Sequence, residues 1–330
     1  EVLRKAGCPN AQTLHKLLYH AKQSSSGQYF YEPRKCISGN YKIIVVDEIS
    51  MCPLYMWKEL LRHRIHVIAL GDPFQLPAIF EGTSVLDSPH IFLDEIMRQA
   101  KESDIIQMSM KLRNFEPLVP YQGNDINILQ QKDLCTGMYE WADQTLCATN
   151  NACTIVNNFM RNLKGFDPAC PQIGDKIMCL HNSWNKVSEI EAEPLINGTI
   201  GYISHIHEEK RKYYIGLQKG FLIKPVYLID LDIDNDIYCD ICIDKQFFET
   251  GKKTFSPATE YAIRRDKRNE LDMPIDFNYC YAATTHKFQG SQAPRVLVIE
   301  ERFPFDRETH YRHLYTSLTR AEKKVTLILK

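Results

Sequence analysis

Two short apolar runs, each ending in an acidic turn, constrain this chain more than any other feature. Residues 43–50 read Ile-Ile-Val-Val-Asp-Glu-Ile-Ser, and residues 67–77 read Val-Ile-Ala-Leu-Gly-Asp-Pro-Phe-Gln-Leu-Pro. Four consecutive apolar residues, rich in β-branched types, suit a buried strand of a parallel sheet better than an alternating antiparallel one. A parallel sheet gathers the carboxyl ends of its strands at one edge, so Asp47 and Glu48 belong beside Gly71 and Asp72. At such an edge Asp47 is placed to hold Mg²⁺ and Glu48 to orient a water, and Gln75 can both donate and accept near a terminal phosphate. An Asp-Glu pair alone is as readily the solvated end of a strand, and the second run is what makes the first informative.

The 330 residues are enough for two domains and a third small one, and the 44% hydrophobic and 25% charged content is ordinary for a globular protein. Forty basic and 41 acidic side chains leave a net charge of −1, so any nucleic-acid track has to come from local clustering. No run approaches the roughly 18 to 20 apolar residues of a membrane span. Residues Glu1-Val2-Leu3-Arg4-Lys5 lack the apolar core of a signal peptide. No membrane partner is expected, and the chain reads as intracellular, in the nucleus if eukaryotic and in the cytoplasm if prokaryotic or viral.

The eleven cysteines, from Cys8 to Cys280, form no regular framework and read as reduced, small hydrophobes. Cys239-Asp240-Ile241-Cys242 has no second pair at zinc-site spacing and reads as strand. Asp230, Asp232, Asp234 and Asp236 look like a calcium loop, but Ile237 and Ile243 stand where glycine and glutamate are required, so this too reads as strand with one wet face. Asn197-Gly198 reads as a two-residue hairpin turn joining residues 194–196 to residues 200–202.

Along the chain, residues 1–100 alternate helix-like stretches (11–21, 55–64) with strands (43–46, 67–70), an α/β parallel-sheet pattern. Residues 101–168 contain a connecting helix and strands at 126–129 and 145–148 that open a second α/β unit. Residues 169–278 are an insertion of β-type runs expected to close into a small barrel. The α/β pattern resumes over 279–330, with strands at 296–300 and 325–329 around a helix at 310–320. Two such domains would bind a ligand in the cleft between them.

Residues 281–291, Tyr-Ala-Ala-Thr-Thr-His-Lys-Phe-Gln-Gly-Ser, place hydroxyls, an imidazole, an ammonium and a glycine turn in one stretch, able to bind phosphates of a nucleotide or a DNA backbone. Residues 315–321, Tyr-Thr-Ser-Leu-Thr-Arg-Ala, end a helix with Arg320, whose fork of donors can neutralise charge on a transferring phosphoryl group. Arg98 is a second candidate for that role. The basic cluster Arg264, Arg265, Lys267 and Arg268 is either a stretch of DNA path or a solvated face.

In this order the motifs resemble the superfamily-one DNA helicases, most closely their RecD-like group, over nearly the whole chain. The resemblance implies two RecA-like parallel-sheet motor domains with an inserted SH3-like barrel spanning Gly174-Asp175-Lys176 through Asn197-Gly198. It implies ATP and Mg²⁺ as cofactors, single-stranded DNA as partner and 5′-to-3′ movement. It assigns Asp47, Glu48, Gln75, Arg98 and Arg320 to catalysis and metal binding, and Gly71, Asp72, Gln289, Gly290 and Gln292 to the nucleotide. Thr13, His15, Thr149, Asn150, Thr284, His286 and Lys287 fall to the nucleic acid. Gln292 stands where the family often carries a glutamate near the nucleotide sugar, which puts nucleotide preference in question.

The phosphate cradle Gly-x-x-x-x-Gly-Lys-Ser/Thr does not occur; Thr250-Gly251-Lys252-Lys253-Thr254 lacks the leading glycine. In the resembling family that loop and its strand precede the region matching residues 1–5. The first sheet is therefore expected to be a strand short, with the loop supplied by an N-terminal segment or a partner. Two readings stay open: a DNA helicase motor without its phosphate loop, and a degenerate motor that binds nucleic acid or serves as a scaffold without hydrolysing ATP. A different nucleoside-triphosphate enzyme, such as a kinase, would have no use for the strings at 284–291 and 315–321.

Overall fold

In a computed structural model the described residues are 2–5, 7–23, 29–37, 39–78, 85–93, 103–215, 220–234, 236–264, 266, 269, 273–301 and 306–330. The helix-like stretch 11–21 is helical only over Leu14–Leu18, started by the Thr13 hydroxyl, which accepts from the Lys16 amide. Tyr19–Gln23 (β1) then pairs antiparallel with Tyr29–Pro33 (β2), because Tyr19 turns extended and leaves the helical path.

Ile43–Val46 (β3) and His66–Ala69 (β4) are parallel, as the two apolar runs require, with Ile43 opposite His66 and Val46 opposite Ala69. The helix Leu54–Arg62 crosses between them and packs Met56 and Leu60 with Leu18, Ile44 and Val46. Burial on both faces, expected of such a run, is not found: Ile43 and Val45 are 54% and 59% exposed. Among the described residues β3 is hydrogen-bonded on one edge only, to β4.

The helix Asp104–Arg113 leads into Tyr121–Gln122 (β5), Ile126–Gln130 (β6) and Gln144–Cys147 (β7). The insertion contains Lys176–Cys179 (β8), Ser183–Val187 (β9), Pro194–Leu195 (β10), Ile200–Tyr214 (β11), Phe221–Ile233 (β12), Asp236–Asp244 (β13) and Phe277–Tyr279 (β14). Ala282–Thr284 (β15), Ala293–Ile299 (β16) and Ala321–Leu329 (β17) complete the second domain. Its six strands run in the order β15-β7-β16-β17-β6-β5, parallel except for β5. One apolar cluster joins this sheet to the helices Asp104–Arg113 and Arg307–Leu318, and a second joins it to the helix Asn150–Leu163.

The insertion is β-rich but not the closed barrel expected. Its strands form an open antiparallel sheet, β13-β12-β11-β8-β14, whose two ends meet at a single bridge between Ile243 and Ile275. At that bridge the Ile275 amide donates to the Cys242 carbonyl, but among the described residues no ladder of further pairs follows it, so the sheet is not closed. The turn at Asn197-Gly198 forms, with Gly198 at φ +89°, but its flanking strands do not pair with each other. β10 pairs with β9 and β11 with β8, because Gly198 and Thr199 exchange backbone bonds with Cys179. Cys239 and Cys242 lie in β13 as expected, Cys242 buried.

Candidate functional site at the interdomain cleft

The first half of the site is the turn after β3. Leu70 donates its amide to Val46 and Ile49 donates to Leu70, so the ends of β3 and β4 are laced together and the two acidic turns lie side by side. Glu48 adopts a left-handed φ of +52° and donates its amide to Asp47 Oδ1 at 3.0 Å. That conformation is uncommon for a residue with a long side chain and is held here by the surrounding bonds. Asp47 is exposed and Glu48 half-buried. Burial raises the Glu48 pKa, Arg320 opposes the rise, and Asp47 and Asp72 add to it. Arg320 is 5% exposed; burial lowers its pKa, opposed by Glu48, Tyr315 and Asp72. Glu48 of the first domain and Arg320 of the second therefore act on each other electrostatically across the cleft.

The loop after β4 is gripped by the second domain. A Cβ on Gly71 would meet Ile49 Cγ2 at 2.8 Å, so glycine lets the two turns touch. Asp72 takes the Phe74 amide at 2.9 Å on one oxygen and the Tyr315 hydroxyl on the other. Arg312 donates to the Pro73 carbonyl, and the Leu76 amide donates to Thr316 Oγ1 at 2.9 Å. Gln289 Nε2 donates to Gln75 Oε1 at 3.2 Å and to the Leu76 carbonyl at 3.1 Å, while its own Oε1 is buried with no partner among the described residues. The Arg113 guanidinium stands 4.2 Å above the Phe74 ring and 5.9 Å from the centroids of Phe92 and Tyr315. The structure thus brings Asp47, Glu48, Gly71, Asp72, Gln75, Gln289 and Arg320 into one region. Gly290 takes a left-handed φ of +81° and Gln292 is exposed nearby.

The three threonines expected on nucleic acid all serve as helix caps. Thr13 caps Leu14–Leu18, Thr149 caps Asn150–Leu163, and Thr284 caps Thr285–Phe288. Thr149 is further held by Glu301, whose carboxylate accepts from the Ala148 amide (2.6 Å), the Thr149 amide (2.9 Å) and Thr149 Oγ1 (2.7 Å). Asn150 and Lys287 are exposed, His286 is partly buried with its pKa lowered by burial, and His15 packs its ring 5.9 Å from Tyr19. Arg98 lies outside the described residues, as do the side chains of Arg264, Arg265, Lys267 and Arg268.

Several functional contacts escape sequence reasoning. Thr285 is fully buried, with Oγ1 2.9 Å from His313 Nε2 and 2.8 Å from Ser317 Oγ, which ties the 284–291 segment to the helix carrying Tyr315 and Thr316. For Tyr315 the only signal is its place in the string 315–321; Glu301 and Arg113 have none.

A cavity of about 570 Å³ is lined by Thr13, His15, Asp47 and Glu48 and runs along the exposed residues Ile43 and Val45. Among the described residues no group of three or more His, Cys, Asp or Glu side chains could hold a metal ion. A single carboxylate at Asp47, with the buried Ser50 hydroxyl lacking a partner among the described residues, suits Mg²⁺, which keeps several waters and leans on substrate phosphates rather than on a protein cage. No described helix is long and apolar enough to cross a membrane.

Comparison with known proteins matches residues 1–133 to a family described as "AAA domain" and residues 279–328 to one described as "UvrD-like helicase C-terminal domain". With the two α/β domains seen here, these matches give a superfamily-one-like helicase fold with RecA-type domains. The uncharacterized protein R530 of Acanthamoeba polyphaga mimivirus is 34% identical over 122 residues, covering 31% of this chain and only 24% of that protein. Among solved structures, the Pif1 helicase of Candida albicans is 17% identical, with 88% of this chain and 72% of that one covered at a TM-score of 0.47. A Bacteroides Pif1 helicase in complex with ADP-AlF3 and single-stranded DNA is 12% identical, with 87% and 70% covered at 0.44.

Proposed function

We propose that this chain is the motor of an ATP-dependent helicase that moves along single-stranded DNA, 5′ to 3′ as the RecD-like resemblance implies. The observation that carries the reading is the cleft itself. A loop between two acidic strand ends in one domain is held by Tyr315, Thr316, Arg312 and Gln289 of the other, with Arg320 acting on Glu48. In this reading residues 1–100 are the first motor domain, 101–168 with 279–330 the second, and 169–278 the insertion.

The roles follow from position. Asp47 would hold Mg²⁺, and the chemistry that ion would supply there is neutralisation of phosphate charge. Glu48, raised in pKa by burial, orients and deprotonates the attacking water. Gln75 responds to the terminal phosphate and passes its position to Gln289 through their hydrogen bond. Arg320, with Arg98 as the second arginine, stabilises the transferred charge. Asn150, His15, His286 and Lys287 contact the single strand, and the capping threonines fix the turns that present them. The phosphate cradle is carried by a strand paired to the edge of β3 that has no partner among the described residues, and the elements flanking that strand cover the sheet face on which Ile43 and Val45 are exposed.

The test is ATP hydrolysis by this chain and by an N-terminally extended protein, each with and without single-stranded DNA, beside Glu48→Gln. DNA-stimulated turnover in the extended protein, lost in Glu48→Gln with nucleotide binding kept, is the expected result. The competing reading is a degenerate nucleic-acid-binding or scaffold protein that does not hydrolyse ATP. That reading prevails if the extended protein binds DNA without hydrolysing ATP.

A further inference from the structure

The most basic stretch of this nearly neutral chain lies far from the motifs. Residues 210–224, Lys-Arg-Lys-Tyr-Tyr-Ile-Gly-Leu-Gln-Lys-Gly-Phe-Leu-Ile-Lys, carry five basic and no acidic side chains, against a net charge of −1 for the whole protein. Of these, the described residues 210–214 and 221–224 lie in the paired ends of β11 and β12. β8 reaches β11 only at residues 200–202 and β13 reaches β12 only from Val226 onward, so beyond those points the two strands form a ribbon with no further sheet neighbour among the described residues.

The register sorts the ribbon into two faces. On one, Tyr213 and Leu222 stand opposite each other and pack with Phe255 and Ile263, Tyr213 fully buried. On the other, the opposed pairs are Lys210 with Pro225, Lys212 with Ile223, and Tyr214 with Phe221. That second face is open: Lys210 and Lys212 are exposed, and Phe221 and Ile223 are 48% and 56% exposed. The Lys212 ammonium rests 3.7 Å over the Phe221 ring, and Tyr214 meets the same ring edge-on at 6.4 Å. The ribbon is anchored from outside as well, since Asn269 accepts from the Tyr214 amide and donates to its carbonyl.

Lysines interleaved with exposed aromatic and branched side chains on a flat strand pair are the ingredients of a single-strand platform, where ammonium groups meet phosphates and rings meet bases. A fold-stabilising role does not account for this face, because the opposite face already supplies the packing. We infer that the open face of the β11–β12 ribbon, with Lys210, Lys212, Tyr214 and Phe221, binds single-stranded nucleic acid outside the motor cleft. The inference extends the nucleic-acid part of the proposed function to the insertion, and it does not depend on ATP hydrolysis.

The test is fluorescence anisotropy of a labelled oligothymidylate with the 330-residue chain, without nucleotide, over a range of salt, beside a duplex of equal length. Replacing both Lys210 and Lys212 by Gln should weaken binding and reduce the salt slope by about 1.4, at ~0.7 for each phosphate left unneutralised on a single strand. Phe221→Ala should weaken binding roughly tenfold with an unchanged slope, as loss of one stacked base would. The same charge removed at Lys323 and Lys324, exposed at the start of β17, should leave both quantities as they are. All these side chains are on the surface, and circular dichroism confirms that each variant is folded. Wild-type affinity in the ribbon variants, an equal loss in the Lys323/Lys324 control, or a loss seen on the duplex but not on the single strand would each overturn the proposal. Because no ATP is present, a failure of the hydrolysis reading leaves this result standing, and the reverse also holds.

Discussion

The Tyr315 hydroxyl donates to the Asp72 carboxylate and so joins the helix Arg307–Leu318 of the second domain to the loop behind β4 in the first. Burial and the neighbouring carboxylate push the phenol pKa up, so it is a donor throughout the neutral range. Arg320 follows at the end of the same helix, so the bond also fixes where its guanidinium sits relative to Glu48.

Tyr315→Phe should lower stability by about 1–2 kcal/mol, since Asp72 keeps the Phe74 amide but one of its oxygens loses a partner. In a loop-complete protein it should reduce kcat more than nucleotide affinity. Urea unfolding and steady-state hydrolysis check both; an unchanged kcat would reduce the bond to packing.

Glu48 gives a pH dependence with a definite sign. Its raised folded pKa means that protons are held to higher pH than by an ordinary glutamate, so the active, ionised form is reached later on the way up. The acid limb of the pH–rate profile should therefore lie above the ordinary glutamate value. For stability the sign is the same as for any group with a raised folded pKa: its contribution is present below the unfolded value and lost as pH rises through the folded one. A limb at the ordinary glutamate value would remove Glu48 from the water-activating role.

The acid turn and the Gly71–Pro77 loop are legible in the sequence because each is local, a strand followed at once by its turn residues. What joins them to the second domain is not. Glu301 reaches Thr149 across 152 positions, and Thr285 meets His313 only because parallel crossovers bring β15 beside that helix. The run at Ile43–Val46 looks alike whether one face of the sheet is covered or both, so the exposure of Ile43 and Val45 is invisible to it. Barrel closure likewise depends on how far strand edges extend, and alternation along β11 and β12 carries no record of that. The basic ribbon is legible from charge alone, yet no motif string marks it, and only the register shows which of its side chains share the open face.

Gly71→Ala tests the contact between the two acidic turns. The added Cβ would lie 2.8 Å from Ile49 Cγ2 and 3.3 Å from the Ile49 amide nitrogen, so the turn bearing Glu48 must shift. A loss of about 1–3 kcal/mol in stability is expected from overpacking of this kind. Hydrolysis in a loop-complete protein should fall further than a stability loss explains, because Glu48 moves with Ile49. Wild-type values of both would show that the turns have room that the geometry denies.

His313 supplies a second pH test, independent of catalysis. It is 4% exposed, and burial, with His286 and His310 adding repulsion, lowers its pKa to about 4. The unfolded chain takes up the proton near pH 6.5 and the folded chain does not until much lower, so stability falls as pH drops between those values. With a slope of ~1.4 kcal/mol per pH unit, the loss attributable to this ring reaches roughly 3 kcal/mol at the bottom of the window. Replacing His313 by Gln, which can still hydrogen-bond to Thr285, should flatten the stability profile between pH 6.5 and 4. Urea titrations at several pH values measure this directly, and a variant that keeps the wild-type slope would place the proton uptake elsewhere in the chain.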